Sequence, residues 1–176
     1  MKDVQILLRQ HVGAPCQATV KSGDKVKKGT LIAEPTGLGA NIFSSVYGEV
    51  TEVLEDRIVI RPDEVQSEEF EKIEEGSKLD MVKAAGIVGM GGAGFPTGVK
   101  IGTDLQGGYI LINAAECEPG LRHNIQQIEE ECDKVIRGVK YTMEISNAAK
   151  AIFAIKKKNE KAVQTLKEAL KDEEAI

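Results

Sequence analysis

The sequence predicts a two-domain α+β protein, in which an all-β N-terminal domain is followed by an α/β domain. Residues 1–62 contain short runs rich in Val, Ile and Thr that Gly, Pro and Asp turns separate, at 4–8, 18–20, 30–33, 40–43, 48–55 and 57–61. Residues 78–176 instead alternate helical periodicity with continuous apolar runs. The acidic stretch at 63–77 between them is predicted to be a solvated linker.

The spacing of the N-terminal strands suits a small sandwich or barrel. The segment V-K-S-G-D-K-V-K-K-G-T-L-I-A-E, followed by S-S-V-Y-G-E-V, resembles the lipoyl and biotinyl carrier domains of the barrel-sandwich hybrid family. Carrier domains attach their cofactor to a lysine at a hairpin tip, which here falls between Glu34 and Ala40. That tip reads P-T-G-L-G and has no lysine. We therefore interpret this domain as a structural or docking module without a covalent cofactor.

The α/β domain is predicted to begin with a short helix that has Ser77 as its N-cap and ends at Gly86. Residues 109–113, Y-I-L-I-N, form a continuous apolar run that predicts a strand buried on both faces. Apolar residues at helical spacing from Ile125 to Met143 predict a long helix. A second buried strand is predicted at 151–155 and a second helix at 160–170.

A glycine-rich loop, G-I-V-G-M-G-G-A-G-F-P-T-G-V-K, occupies residues 86–100 and follows the first predicted helix. Glycines let backbone N–H groups come close to a phosphate or to the face of a flat cofactor, because no Cβ atom intervenes. Phe95 would then lie against a ring and Lys100 would pair with a phosphate. A glycine cluster is also compatible with a flexible loop that binds nothing. Phe95, Pro96 and Ile101 favour the binding interpretation, because linkers lack such apolar anchors.

Polar residues follow the strand predicted at 109–113. Ligands of open α/β sheets bind at the carboxyl ends of the strands, where Asn113, Glu116 and Glu118 are expected to lie.

Composition excludes several classes of function. The net charge of −5 and the absence of a basic stripe argue against nucleic acid as a partner. No apolar run approaches the roughly 20 residues that span a bilayer, and the N-terminus is too charged for a secretory signal. Three widely spaced cysteines fit neither a disulfide framework nor a metal-ligand pattern, and no metal site is predicted. We therefore expect a cytoplasmic protein with reduced thiols.

Two motifs together carry a family resemblance. G-M-G-G-A-G-F-P-T-G-V-K at 89–100 and N-A-A-E-C-E-P-G at 113–120 resemble the FMN- and NADH-binding subunit of respiratory complex I. Its bacterial relatives include the RnfC subunit of the ion-pumping Rnf complex and the PrdC electron-transfer protein associated with proline reductase. A barrel-sandwich module ahead of the glycine loop, with Q-H-V-G-A-P near the start, is similar to RnfC and PrdC.

The resemblance implies an incomplete FMN-binding α/β domain whose glycine loop wraps FMN and whose strand end contacts the flavin and the hydride donor NADH. It implies no catalytic residue, and these cofactor-binding residues: Gly89, Gly91, Gly92, Gly94, Phe95, Lys100, Asn113, Glu116 and Glu118. Family members tend to be acidic after the second strand, where this chain has Lys156 and Lys157. This difference weakens the expectation of NADH binding more than that of FMN binding.

The implied function is that of the N-terminal part of a flavoprotein that passes electrons from NADH through FMN to iron–sulfur clusters or partner subunits. The chain has no C-x-x-C-x-x-C motif, so no cluster of that type is expected in it. The expected partners are other electron-transfer subunits or a missing C-terminal half, with membrane association only through a complex. The chain alone is expected to oxidise NADH poorly. The alternative is a non-catalytic docking module that retains an incomplete flavin fold.

The lysine-free hairpin tip generates the first prediction. Because residues 35–39 offer no amine for acylation, the protein purified from its native host carries no lipoyl or biotinyl group on this hairpin. Intact-mass spectrometry measures this directly. A mass increase equal to one lipoyl or one biotinyl group would contradict the prediction.

Overall fold

The structure is a computed structural model that describes residues 2–90, 92–118 and 120–176. The chain divides into two compact units, Met1–Lys100 and Ile101–Ile176, and each is described by itself.

The first unit is built on seven antiparallel strands. They form a four-stranded sheet in the order β1-β7-β6-β3 and a three-stranded sheet in the order β2-β4-β5. Their bounds are β1 Val4–Leu7, β2 Gln17–Ala18, β3 Lys25–Val26, β4 Leu31–Glu34, β5 Ile42–Phe43, β6 Gly48–Val53 and β7 Arg57–Pro62. Six of them lie where the sequence predicts strands, and β3 is the strand that the prediction missed.

The core of this unit consists of aliphatic side chains from both sheets. Ile32, Val50, Ile58 and Ile60 are completely buried. Full burial of one such side chain contributes roughly 1.5–3 kcal/mol, so a few of them dominate the stability of a module this small. A register shift between Val50 and Glu52 marks a bulge in the β6–β7 pair.

The first part of the predicted linker is bound to the strands. The Gln66 side chain accepts a hydrogen bond from the Tyr47 backbone N–H at 2.9 Å and donates one to the Tyr47 carbonyl at 2.8 Å. The Tyr47 hydroxyl donates to the Glu69 carbonyl, and the Glu71 N–H donates to the Lys28 carbonyl at 2.8 Å. Residues 66–71 therefore lie against the strands, while a boundary between domains at 63–77 stays a prediction.

Helix α1, Lys78–Ala84, follows this segment and begins as predicted. The Ser77 hydroxyl accepts a hydrogen bond from the Asp80 N–H at 3.1 Å, which is the N-cap interaction. A short helix α2 spans Thr97–Ile101.

The second unit is a parallel β-α-β-α arrangement. Strands β8, Tyr109–Asn113, and β9, Lys150–Ala154, pair in parallel, and helix α3, His123–Ser146, connects them. Helix α4, Glu160–Ala169, follows β9. The buried core of this unit consists of side chains from the two helices and from the residue that follows β8. These are Ala114, Ile125, Ile128, Ala162 and Leu166.

The prediction that residues 109–113 are buried on both faces is wrong. Tyr109 is 66% exposed and Leu111 67% exposed, whereas Ile110 and Ile112, which alternate with them, are partly buried. Ile152 on β9 pairs with Leu111 and is also exposed. Side chains alternate between the two faces of a strand, so this two-stranded sheet buries only the face on which its helices pack.

Helix α3 is 24 residues long and ends at Asn147, which adopts the left-handed conformation at φ 52°. Its backbone departs from helical geometry at Glu131, where φ is −134°. Among the residues that the structure describes, no helix combines the length and the apolar character that crossing a membrane requires.

The contacts of residues 66–71 generate the second prediction. Limited proteolysis at low protease concentration should cut first within residues 72–77, because the preceding residues are held by the hydrogen bonds of Gln66 and Glu71. Mass spectrometry of the early fragments locates the cut. The variant Gln66→Ala should extend the susceptible region towards residue 63, and a first cut within residues 1–60 would contradict the prediction.

Candidate functional site

The glycine loop is closed by backbone hydrogen bonds within the first unit. The Gly89 N–H donates to the Phe95 carbonyl, and the Thr97 N–H donates to the Ile87 carbonyl, each at 2.9 Å. Val88 and Pro96 form an isolated antiparallel bridge between these two bonds. The loop therefore has the geometry of a small hairpin. Of the predicted site residues in this loop, Gly91 lies outside the described residues.

Three glycines of the loop are in close contact with the rest of the unit. A Cβ atom on Gly86 would lie 2.3 Å from the Asn41 carbonyl oxygen, and one on Gly94 would lie 3.0 Å from the Gln10 carbonyl oxygen. Both glycines also have positive φ, at 65° and 62°. A Cβ atom on Gly98 would lie 2.5 Å from the Lys83 side chain in α1. Local packing therefore explains why these three positions are glycine.

Two other glycines have open space beside them. The nearest atoms to a Cβ on Gly89 are the backbone N and O of Phe95, at 3.7 Å. Gly92 has φ 109° and no atom within 4 Å of its Cβ position. Met90, between them in the chain, is 90% exposed. This side of the loop is where a ligand can come close to the backbone.

The structure brings together Phe95 and Lys100, which the sequence assigned to ring and phosphate contacts. The Lys100 ammonium lies 5.8 Å from the centroid of the Phe95 ring, within cation–π range. Phe95 also provides the carbonyl that accepts from the Gly89 N–H. An aromatic face, a cation and an open stretch of glycine backbone thus belong to one loop.

The strand-end residues of the second unit have defined structural contacts. The Asn113 side-chain oxygen accepts a hydrogen bond from the Ala115 N–H at 3.1 Å. The Glu116 carboxylate accepts one from the Asn124 N–H, in the first turn of α3, at 2.8 Å, and lies 3.7 Å from His123 Nδ1. Glu116 therefore stabilises the start of α3, because its charge and its acceptor oxygen satisfy a free N–H there.

A pocket of about 790 Å³ opens beside these residues, where β8 and β9 end and α3 and α4 begin. Charged side chains of both signs line it: Glu116, Glu118, Arg122, Glu129, Lys156, Lys158, Glu160 and Lys161. Cys117 and Leu121 also contribute to the wall. Pockets for small ligands commonly have volumes of roughly 300–1,000 Å³, so the size of this one suits a small ligand.

Glu129 is a pocket residue that the sequence did not reveal. Its carboxylate lies 3.3 Å from Arg122 Nη2 and 3.2 Å from Lys161 Nζ, while its side chain is only 13% exposed. In the sequence it is one member of the run Glu129–Glu131, which is typical of a solvated helix face. Only the packing of α4 beside α3 distinguishes it from its neighbours.

Two of the three cysteines have perturbed thiols. Burial raises the pKa of the Cys16 thiol, and burial, followed by the nearby Asp133 carboxylate, raises the pKa of the Cys132 thiol. Cys117 is exposed at the pocket. It is therefore the cysteine that a solvent-borne reagent reaches most easily.

Comparison with known families identifies both parts of the chain. The Nuo51 FMN-binding domain matches residues 82–176, and the RnfC barrel sandwich hybrid domain matches residues 1–71. These matches confirm the resemblance that the glycine and strand-end motifs indicated.

Individual relatives agree with these matches. The chain is 36% identical to a component of the proton-translocating ferredoxin:NAD(+) oxidoreductase complex of Clostridium ljungdahlii, over 94% of this chain and 41% of the relative. It is 32% identical to the matching component of the Na(+)-translocating complex of Acetobacterium woodii, over 95% of this chain and 42% of the relative. Cobalamin reductase PduS of Salmonella typhimurium is 40% identical over 53% of this chain and 20% of the relative. The chain thus spans about two fifths of the length of the first two relatives.

The contrast between packed and open glycines generates the third prediction. The variant Gly86→Ala should lower the free energy of unfolding by about 1–3 kcal/mol, because it combines a left-handed backbone with a clash against the Asn41 carbonyl. The matched variant Gly89→Ala should change it by less than about 1 kcal/mol. Urea denaturation followed by circular dichroism measures both. Equal losses in the two variants would contradict the assignment.

Proposed function

We propose that this chain, which belongs to the family of the Nuo51 FMN-binding domain and has an RnfC-type barrel sandwich hybrid domain at its N-terminus, acts as a flavoprotein in electron transfer. The relatives support this function, since they are components of ion-translocating oxidoreductase complexes and a cobalamin reductase. The chain spans about two fifths of the length of the first two, so the substrates and partners of the whole protein are also part of the proposal.

The glycine loop provides residues that fit FMN. Gly92 has no atom within 4 Å of its Cβ position, so a phosphate or a flavin ring can come close to its backbone. The Gly89 N–H already donates to the Phe95 carbonyl and holds the neighbouring backbone in place. Lys100 offers a cation and Phe95 an aromatic face. When bound, FMN supplies the chemistry that accepts a hydride and releases electrons singly. The loop residues bind and orient this group, and the open space beside Gly92 is the observation that carries the proposal.

The pocket of the second unit provides residues that fit a nucleotide. Arg122, Lys158 and Lys161 offer cations to a phosphate. Asn159 precedes α4 without capping it through its side chain, so the first N–H groups of that helix are available to an anion. We assign Asn113 to the flavin, and Glu116 and Glu118 to the side of the hydride donor. The Lys156 ammonium donates to the Glu116 carbonyl and so fixes the backbone of this turn.

The proposed donor is NADH, and the proposed acceptors are iron–sulfur clusters or partner subunits. Lys156 and Lys158 line the pocket beside Glu116 and Glu118. These lysines raise the local electrostatic potential, which favours the phosphates of a nucleotide and disfavours contacts between carboxylates and the ribose or the nicotinamide.

A second candidate function is that of a docking module without catalysis. It is favoured by the apolar side chains that β8 and β9 expose, namely Tyr109, Leu111 and Ile152. Three large apolar residues on adjacent strands form a contiguous patch, and such patches commonly mark interaction surfaces. The lysine-free hairpin of the lipoyl-like N-terminal module is compatible with the same function.

The fourth prediction tests FMN binding and its location. The purified chain should retain FMN through gel filtration after incubation with an excess, and its flavin absorption should elute with the protein. Gly89→Ala should weaken the affinity about tenfold, which corresponds to about 1.4 kcal/mol, because the new Cβ occupies the space left for the ligand. Because Asn113 is assigned to the flavin and Cys117 follows it on the same turn, bound FMN should slow the alkylation of Cys117.

Two matched comparisons make this experiment specific. Cys132 lies outside the pocket and should be alkylated at the same rate with and without FMN. Lys72→Ala removes a cation far along the sequence from the glycine loop and should leave the affinity unchanged. If no FMN remains bound while the protein stays folded by circular dichroism, the docking function is favoured instead. If FMN binds without protecting Cys117, the assignment of the pocket is wrong.

A further inference from the structure

His11 is almost completely buried, at 6% exposure, within the first unit. Its Nδ1 lies 2.9 Å from the Val12 carbonyl oxygen. A carbonyl oxygen only accepts hydrogen bonds, so Nδ1 is the donor of this bond. Nε2 lies 3.2 Å from the Cys16 sulfur. Both ring nitrogens therefore have a partner, and the orientation of the ring is fixed.

Cys16 connects this ring to a hairpin tip. Its sulfur lies 3.3 Å from the Ala40 carbonyl oxygen, and its backbone N–H donates to the Leu8 carbonyl at 2.8 Å. Burial raises the pKa of the thiol, so it keeps its proton at neutral pH and can donate to His11 Nε2 or to the Ala40 carbonyl. The sulfur thus lies between the turn after β1 and the hairpin between β4 and β5.

Two glycines come close to His11 from different segments. A Cβ atom on Gly39, at the hairpin tip, would lie 2.5 Å from His11 Cε1. A Cβ atom on Gly94, in the glycine loop, would lie 3.1 Å from His11 Cα. The hairpin tip and the glycine loop thus contact the same residue, and a Cβ atom on Gly39 would clash with its ring.

The contact at Gly94 extends to the open side of the loop. Gly94 precedes Phe95, whose carbonyl accepts from the Gly89 N–H at 2.9 Å. A shift of the backbone at Gly94 therefore moves Phe95 and, through this hydrogen bond, Gly89. The backbone at His11 is therefore linked to Gly89 through its contact with Gly94 and through the hydrogen bond of the adjacent Phe95.

We propose that His11 is a positioning residue for the glycine loop: its two ring hydrogen bonds fix the turn on which Gly94 lies, and this turn fixes the side of the loop that accepts the ligand. The identity of the ligand as FMN rests on the proposed function. The positioning itself rests only on the contacts within the first unit.

The experiment compares three variants of the full chain. His11→Ala removes both ring hydrogen bonds. His11→Asn keeps a donor at the place of Nδ1, for the Val12 carbonyl, and loses the partner of Cys16. Val26→Ala is the matched control, because Val26 is buried in the same core and is remote in sequence from His11, Gly39 and the loop. Hydrogen exchange of residues 87–97, the FMN dissociation constant and the urea midpoint are measured for each.

His11→Ala should lower the protection of the Gly89 and Thr97 amides about tenfold and weaken FMN binding by a similar factor. His11→Asn should show a smaller effect on both. Val26→Ala should lower the urea midpoint without a selective change in residues 87–97. Unchanged exchange in His11→Ala, or an equal change in Val26→Ala, would overturn the proposal.

Hydrogen exchange also separates this proposal from the proposed function. If the native chain binds no FMN, the exchange of residues 87–97 still shows whether His11 fixes the loop. If FMN binds but His11→Ala changes neither the exchange nor the affinity, the flavoprotein function stands and the positioning role is wrong.

Discussion

The glycine loop can lie against the N-terminal strands only because Gly86 and Gly94 have no side chain. Their Cβ positions fall 2.3 Å from the Asn41 carbonyl oxygen and 3.0 Å from the Gln10 carbonyl oxygen, both of which are backbone atoms that cannot rotate away. This close backbone contact, together with the hydrogen bonds of Gly89 and Thr97, makes the loop a packed element. A flexible linker would have neither feature, so the interpretation that the loop is mere flexible chain loses its support.

The glycines of one motif therefore satisfy two different constraints. Gly86 and Gly94 allow protein backbone to approach, whereas Gly89 would accept a Cβ atom without a clash and Gly92 has no protein atom within 4 Å of its Cβ position. These constraints require the same residue type, and for this reason the sequence motif could not separate them. A substitution at a packed glycine changes the folded state, while one at an open glycine changes what the loop can bind. The structure thus divides the described glycines of the loop into two classes with different physical consequences.

Features of the fold that depend on neighbouring residues were predicted from the sequence, whereas features that depend on contacts between distant residues were not. Alternating Val, Ile and Thr predicted six of the N-terminal strands, because the period of two is a local property. Strand β3 has only two residues and lies among lysines and glycines that indicate turns. The attachment of Gln66 to Tyr47 joins residues far apart in sequence, so the acidic composition of 63–77 gave no sign of it. The apolar run at 109–113 showed a strand but not that Leu111 is exposed, since burial depends on what packs on each face.

The electrostatics of the second unit limit how strongly its pocket can hold an anion. Arg122 and Lys161 are largely exposed, but both pair with Glu129, whose side chain is 13% exposed. A phosphate that recruited these cations would leave a largely buried carboxylate without its partners, and that loss offsets much of the new attraction. The space beside Gly92 holds no protein atom within 4 Å of its Cβ position, so a ligand there displaces no ion pair. The greater share of phosphate affinity is therefore expected from the glycine loop, whose position depends on the contacts at Gly86 and Gly94.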